Sequence, residues 1–146
     1  MYSKAILTLV VTFFLFFSAS AQSCTLDIGG KNIDLIVKVF QLNEKQVTAM
    51  EEIRAELEVT SKAIKDDIQK LFDQHPQSSP EQLTTLAEKY KMLQQKLIDA
   101  SYESDKKLLV MFNERQYERY LSLCVEALLD PIRVDPVQMG DAVDPK

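Results

Sequence analysis

The sequence predicts an all-α protein of four helices, built around a long antiparallel helical hairpin. Three observations predict it. No glycine occurs between Lys31 and Met139, and the only prolines in that span are Pro76, Pro80, Pro131 and Pro136, so long stretches are free of helix breakers. Within those stretches apolar residues recur at spacings of three, four and seven, the pattern of a helix with one face against a core. Between the two longest stretches, Asp73 to Ser79 gathers His75-Pro76 and Ser78-Ser79, a short polar turn.

Residues 1–21 form a block of their own: Lys4 as a positive n-region, an uncharged run from Ala5 to Phe17, then Ser18-Ala19-Ser20-Ala21. This is the pattern of a secretory signal peptide, with cleavage expected after Ala21. The run of 13 residues is short of the ~20 that a helix needs to cross a bilayer. Lipid attachment at Cys24 is the one route to a membrane, and the residue three places before it is Ala21 where lipidation wants Leu. Four segments follow from this reading: signal peptide 1–21, N-terminal extension 22–32, helical domain 33–129, and a tail over 130–146 expected to be disordered because Pro136, Gly140, Pro145 and the three aspartates beyond Pro131 leave few large apolar groups.

Within the domain, Ile33 to Phe40 fits a helix through Ile33, Ile36, Val37 and Phe40, and a strand through Leu35, Val37 and Val39; periodicity does not choose. From Val47 the residues Met50, Ile53, Leu57, Ile64, Ile68 and Leu71 make one amphipathic helix ending near Phe72. Pro80 sits where proline opens a helix. The helix it opens carries Leu83, Leu86, Tyr90, Leu93, Leu97, Ala100, Leu108 and Met111, close to a heptad, which favours shallow packing against the preceding helix. Its middle, Ala100-Ser101 and Ser104, is thin in large apolar groups and is read as a kink, a close crossing or a weakly packed stretch. A last helix from Glu114 to about Leu129 aligns Tyr117, Tyr120, Leu121, Cys124, Val125 and Leu128 on one side, with Pro131 as its stop. Cys24 and Cys124 have two readings: a disulfide allowed by an oxidising compartment, or Cys124 as a small core residue.

Two helix starts are matched. Asn43 precedes Glu44, Lys45 and Gln46, so its side chain accepts from the Gln46 N–H while the Gln46 amide reaches back, a capping box. Leu42 before the cap and Val47 beyond it form the pair of a hydrophobic staple. Seventy residues later Phe112, Asn113, Glu114, Arg115, Gln116 and Tyr117 repeat the construction in order. Ser79 to Gln82 is also a box, with Ser78 in place of the staple residue.

Leu42-Asn43-Glu44-Lys45-Gln46 and Phe112-Asn113-Glu114-Arg115-Gln116 resemble the two Leu-Thr-x-x-Gln copies of the periplasmic Spy/CpxP family, with Asn in place of Thr in both and Phe112 in place of Leu in the second. The resemblance covers Ile33 to Leu129 and favours a helix over Ile33 to Phe40. It implies four helices per chain, an elongated antiparallel homodimer shaped as a thin cradle, and ATP-independent binding of unfolded or envelope proteins, or modulation of an envelope stress sensor. It also brings a second reading, a metal-responsive periplasmic sensor signalling to a membrane partner. A third is a passive helical interaction module.

The chemical inventory is sparse. The one histidine, His75, lies in the turn, so no nucleophile and base can be assembled into a triad, and no catalytic site is expected. Glu51, Glu52, Glu56, Asp66 and Asp67 alternate with lysines as a solvated helix face would. One histidine, scattered methionines and two distant cysteines do not make a metal-ligand cluster, and no cofactor is expected. The net charge of −5 becomes −6 once Lys4 is removed with the signal peptide, which argues against nucleic acid. For protein clients, Met50, Met92, Met111, Tyr90 and Tyr102 supply apolar contacts, and Lys62, Lys65, Lys89, Lys96 and Arg115 supply charge.

Overall fold

A computed structural model describes residues 22–134. The signal peptide expected over 1–21 lies outside these residues, as does the tail beyond Val134. The chain is all-α with four helices: α1 Ile33–Phe40, α2 Glu44–Gln74, α3 Pro80–Val110 and α4 Glu114–Glu126. Two strands of two residues each, β1 Ser23–Cys24 and β2 Asp130–Pro131, pair in parallel, Ser23 with Asp130 and Cys24 with Pro131.

The first two boundaries of the hairpin are set by local chemistry. Asn43 caps α2 through its side chain at 3.0 Å from the Gln46 N–H, with the Gln46 amide oxygen returning to the Asn43 N–H at 3.1 Å. Ser79 caps α3 in the same reciprocal way, with Pro80 at the first position. Each 31-residue helix spans about 46 Å at 1.5 Å per residue. They run antiparallel, as two contacts at different heights establish: Lys107 pairs with Glu56 near the base, and the rings of Phe72 and Tyr90 meet edge to face at 5.4 Å near the tip.

The core lies at the base. Met50, Ile53 and Leu57 of α2, Leu108 and Leu109 of α3, Ile36 and Phe40 of α1, and Tyr117, Tyr120 and Cys124 of α4 are buried in one cluster. Met50 is therefore a core residue and not a client contact, because the stripe it begins faces the other three helices. Farther out the hairpin stands as two helices alone. Ile64, Ile68, Leu71, Tyr90, Leu93 and Leu97 are only half-buried there, and Leu86 is the one buried side chain in the outer half.

Three features differ from the sequence expectations. Residues 130–134 of the expected disordered tail are packed: Ile132 and Val134 are buried in the core cluster. The extension 22–32 also belongs to the core, through Cys24 and Ile28. Both segments are short of large apolar groups, yet each supplies two side chains to a core whose other walls already exist. Finally, α4 ends at Glu126, before Leu129, and Val125 and Leu128 are 67% and 88% exposed where the apolar stripe placed them inward. A Schellman turn sets that end and turns Leu128 away, while Val125 lies within the helix on its exposed side. Leu128 takes φ 57°, its N–H donates to the Val125 carbonyl, and the Leu129 N–H donates to the Cys124 carbonyl at 2.9 Å. The chain thus leaves the helix five residues earlier than Pro131 would force. The thin stretch at Ala100 to Ser104 is unbroken helix, and Ser104 Oγ donates back to the Ala100 carbonyl.

A leucine in the left-handed region costs roughly 1–2 kcal/mol, and the exposed Leu128 side chain gains little burial in return. Leu128→Gly should raise stability by about 0.5–1 kcal/mol after glycine's entropic penalty, read from urea unfolding midpoints at unchanged m-value.

Candidate functional site

The two matched helix starts dock on each other. Gln46 and Gln116 are both buried, and their carboxamides form a reciprocal pair: Gln46 Nε2 donates to Gln116 Oε1 at 2.7 Å, and Gln116 Nε2 donates to Gln46 Oε1 at 3.0 Å. The second N–H of each amide goes to a carbonyl in the other copy's approach turn, Gln46 to Met111 at 2.8 Å and Gln116 to Phe40 at 3.0 Å. Each amide oxygen also accepts its own box N–H, from Asn43 and Asn113. Every donor and both lone pairs of each amide are used. Among the described residues no buried side-chain nitrogen or oxygen lacks a partner.

Around this pair the apolar members of the motif close the base. Leu42 and Phe112, in the two staple positions, are both buried, and Phe112 packs against Phe40 with ring centroids 5.0 Å apart. The structure therefore brings together all six motif residues, Leu42, Asn43, Gln46, Phe112, Asn113 and Gln116, in one place. The Ser79 box joins nothing and stays at the exposed tip, which fits its missing staple residue.

A second cluster, opposite the thin stretch of α3, holds residues 22–32 as a strap across the body. Asp105 has no exposed surface, and its carboxylate accepts from three successive backbone N–H groups, Leu26 at 2.7 Å, Asp27 at 3.1 Å and Ile28 at 3.1 Å. Burial pushes this carboxyl above its ordinary range against the pull of the three donors, with the nearby Asp27 charge acting in the same upward direction. Asp27 itself sits at φ 55°, the bend that turns its N–H toward the carboxylate alongside its neighbours. Arg54 Nε donates to the Ile28 carbonyl at 2.9 Å while its guanidinium pairs with Glu51. Gly29 crosses α2 so closely that a Cβ there would meet Leu57 at 2.9 Å.

The Cys24 end of the strap is tied further, together with residues 130–134. Cys24 and Cys124 form a disulfide, with Cα atoms 5.6 Å apart at a sequence separation of 100. Closing such a loop contributes roughly 4–5 kcal/mol in the chain-entropy account. Tyr120 Oη donates to the Cys24 carbonyl at 2.6 Å and accepts from the Ile132 N–H at 2.7 Å, so one hydroxyl joins both terminal segments. Tyr117, stacked on it at 5.8 Å, donates to the Ile132 carbonyl and accepts from the Val134 N–H. Burial raises the Tyr120 hydroxyl to about 12.

Asp105 and the two tyrosines were not singled out by the sequence reading. Asp105 had a signal: it falls on the apolar stripe of α3 between Leu97 and Leu108, beside the small residues that leave room for the strap. Tyr120 had none beyond membership of the α4 stripe, and Tyr117 had that and the staple position of the second matched start.

Beside the strap an open groove of about 790 Å³ runs along the hairpin, lined by Glu51, Arg54, Glu58, Lys62, Lys65 and Leu97 among others. Its charges are mixed in sign and partly paired, Arg54 with Glu51 and Lys62 with Asp66. His75 lies in the α2–α3 turn, with Nδ1 2.8 Å from the Pro76 carbonyl. Among the described residues no three His, Cys, Asp or Glu side chains converge as a metal site would require. No family model, curated protein or solved structure matches this chain.

Truncating Gln46 or Gln116 to Ala should cost about 2–3 kcal/mol each, because the surviving amide keeps buried groups unpaired. The double variant should fall short of the sum by about 1–2 kcal/mol in a double-mutant cycle followed by urea unfolding. Additive losses would mean that the two boxes act separately. For Tyr120, an unfolded tyrosine ionises near pH 10 but this one only near 12, so the unfolded chain holds fewer protons across that window and stability falls as pH rises. Wild type should lose roughly 1–2 kcal/mol more than Tyr120→Phe between pH 10 and 12.

Proposed function

We propose that this chain is an exported, ATP-independent chaperone or envelope-stress adaptor of the Spy/CpxP kind, acting in the periplasm as a homodimer that holds unfolded or partner proteins on its helical surface. One observation carries the reading: the two motif copies consume themselves in closing the base, and the hairpin from its middle to its tip is left with large apolar side chains in solvent. Val59, Met92 and Ile98 are 72%, 65% and 60% exposed, and Phe72 and Leu83 are exposed nearer the tip. They are spread around the arm, interleaved with the exposed Lys62, Lys65, Lys89 and Lys96. Such a surface offers weak apolar contact and charge together, from several directions, without a shaped pocket. The half-buried seam of the arm also favours a second copy, since two helices alone leave both edges of their shared stripe uncovered.

The test is light scattering from a chemically denatured client diluted into buffer without nucleotide. The protein should slow aggregation in proportion to its concentration, and the triple variant Val59→Glu, Met92→Glu, Ile98→Glu should lose most of that effect. All three positions are exposed, so the variant's stability should stay within about 0.5 kcal/mol per site. An aggregation time course that a large molar excess leaves unchanged overturns the reading, and a monomer by analytical ultracentrifugation overturns its homodimer.

A further inference from the structure

We propose that Gln22 is a site of covalent modification: once cleavage after Ala21 frees its α-amine, the residue closes to a pyroglutamyl terminus. The inference rests on the export reading above and adds to it the chemical state of the mature chain's first residue.

The step needs no partner. The α-nitrogen attacks the side-chain amide carbon, a C–N bond forms in a five-membered lactam, the bond to the amide nitrogen breaks, and that nitrogen leaves as ammonia with a proton from the amine. Nothing is oxidised or reduced.

The fold leaves this chemistry open and keeps its product harmless. Gln22 is exposed, and its side-chain amide has no hydrogen-bond partner among the described residues. What the fold does hold is the Gln22 carbonyl, which accepts the Asp130 N–H at 3.0 Å just before β1. Ring closure joins the side chain to the α-nitrogen and leaves that carbonyl where it is. The side-chain amide is thus exposed to solvent on a residue whose backbone carbonyl is fixed.

The product suits this end of the chain. A free α-amine is protonated at neutral pH to a large extent, and cyclisation removes that charge. Exposed termini are also where trimming begins. Here each residue removed would take part of the strap, first the Gln22–Asp130 hydrogen bond, then β1, then the disulfide itself at Cys24. A lactam presents no free amine to an aminopeptidase.

The full chain, with residues 1–21, is exported and recovered, and its intact mass is measured with the disulfide closed. The expected mass is that of a chain beginning at Gln22 less one ammonia, with no amine-reactive label at the α-position and resistance to aminopeptidase. Gln22→Asn, whose side chain is one methylene too short for the five-membered ring, should retain its full mass, take the label and be trimmed. A wild-type chain beginning at Gln22 with a free, labelled amine overturns the modification and leaves export standing. A chain that retains residues 1–21 or begins elsewhere overturns the cleavage on which the site rests, and the mass tells the two failures apart.

Discussion

Gln46 and Gln116 place two carboxamides where all four helices meet, and a buried amide is unfavourable unless its two N–H groups and two lone pairs all find partners. The pair meets that condition in one arrangement, each amide bonded to the other, to its own capping box and to the other copy's approach turn. A slip of one residue in α2 or α4 would orphan several of these groups at once. The amide pair therefore sets the relative placement of α2 and α4, and with them the turns that lead in from α1 and α3. Gln46 and Gln116 are buried together with Phe40 and Phe112, and burial raises both the strength of the pair and the cost of breaking it.

The rest of the base follows from that placement. With α3 and α4 fixed, Asp105 and Tyr120 face the two terminal segments and bind them through main-chain groups, and the disulfide then closes the strap covalently. Stabilising contacts of long sequence separation are concentrated here. The arm of the hairpin has only the contacts of α2 against α3, such as Phe72 on Tyr90, along a half-buried seam. The molecule is thus divided into a heavily constrained base and a lightly constrained arm. A surface that accommodates many partners is better placed on the second than the first, and this division underlies the proposed chaperone reading.

Much of the helical architecture was legible because its signals are local. Capping boxes at Asn43, Ser79 and Asn113, proline at the start of α3, and apolar spacing along α2 and α3 each act within one or two turns of chain. Ile33 to Phe40 was not decided by its own pattern, and packing chose the helix that buries Ile36 and Phe40. The end of α4 was misplaced because a Schellman turn at Leu128 depends on backbone hydrogen bonds that a leucine does not advertise. Asp105 could be seen as a carboxylate on an apolar stripe, but its three donors come from a segment 77 to 79 residues away.

By itself the sequence determined where α2, α3 and α4 begin, where the hairpin turns, and that two starts share one design, since all of these are set by contacts between near neighbours. Only the tertiary structure decided that those two starts bind each other through Gln46 and Gln116, that Cys24 meets Cys124, and that residues 22–32 and 130–134 belong to the core. Each of these is a meeting of groups far apart in the chain, fixed by how already formed helices pack, and residue spacing does not encode it.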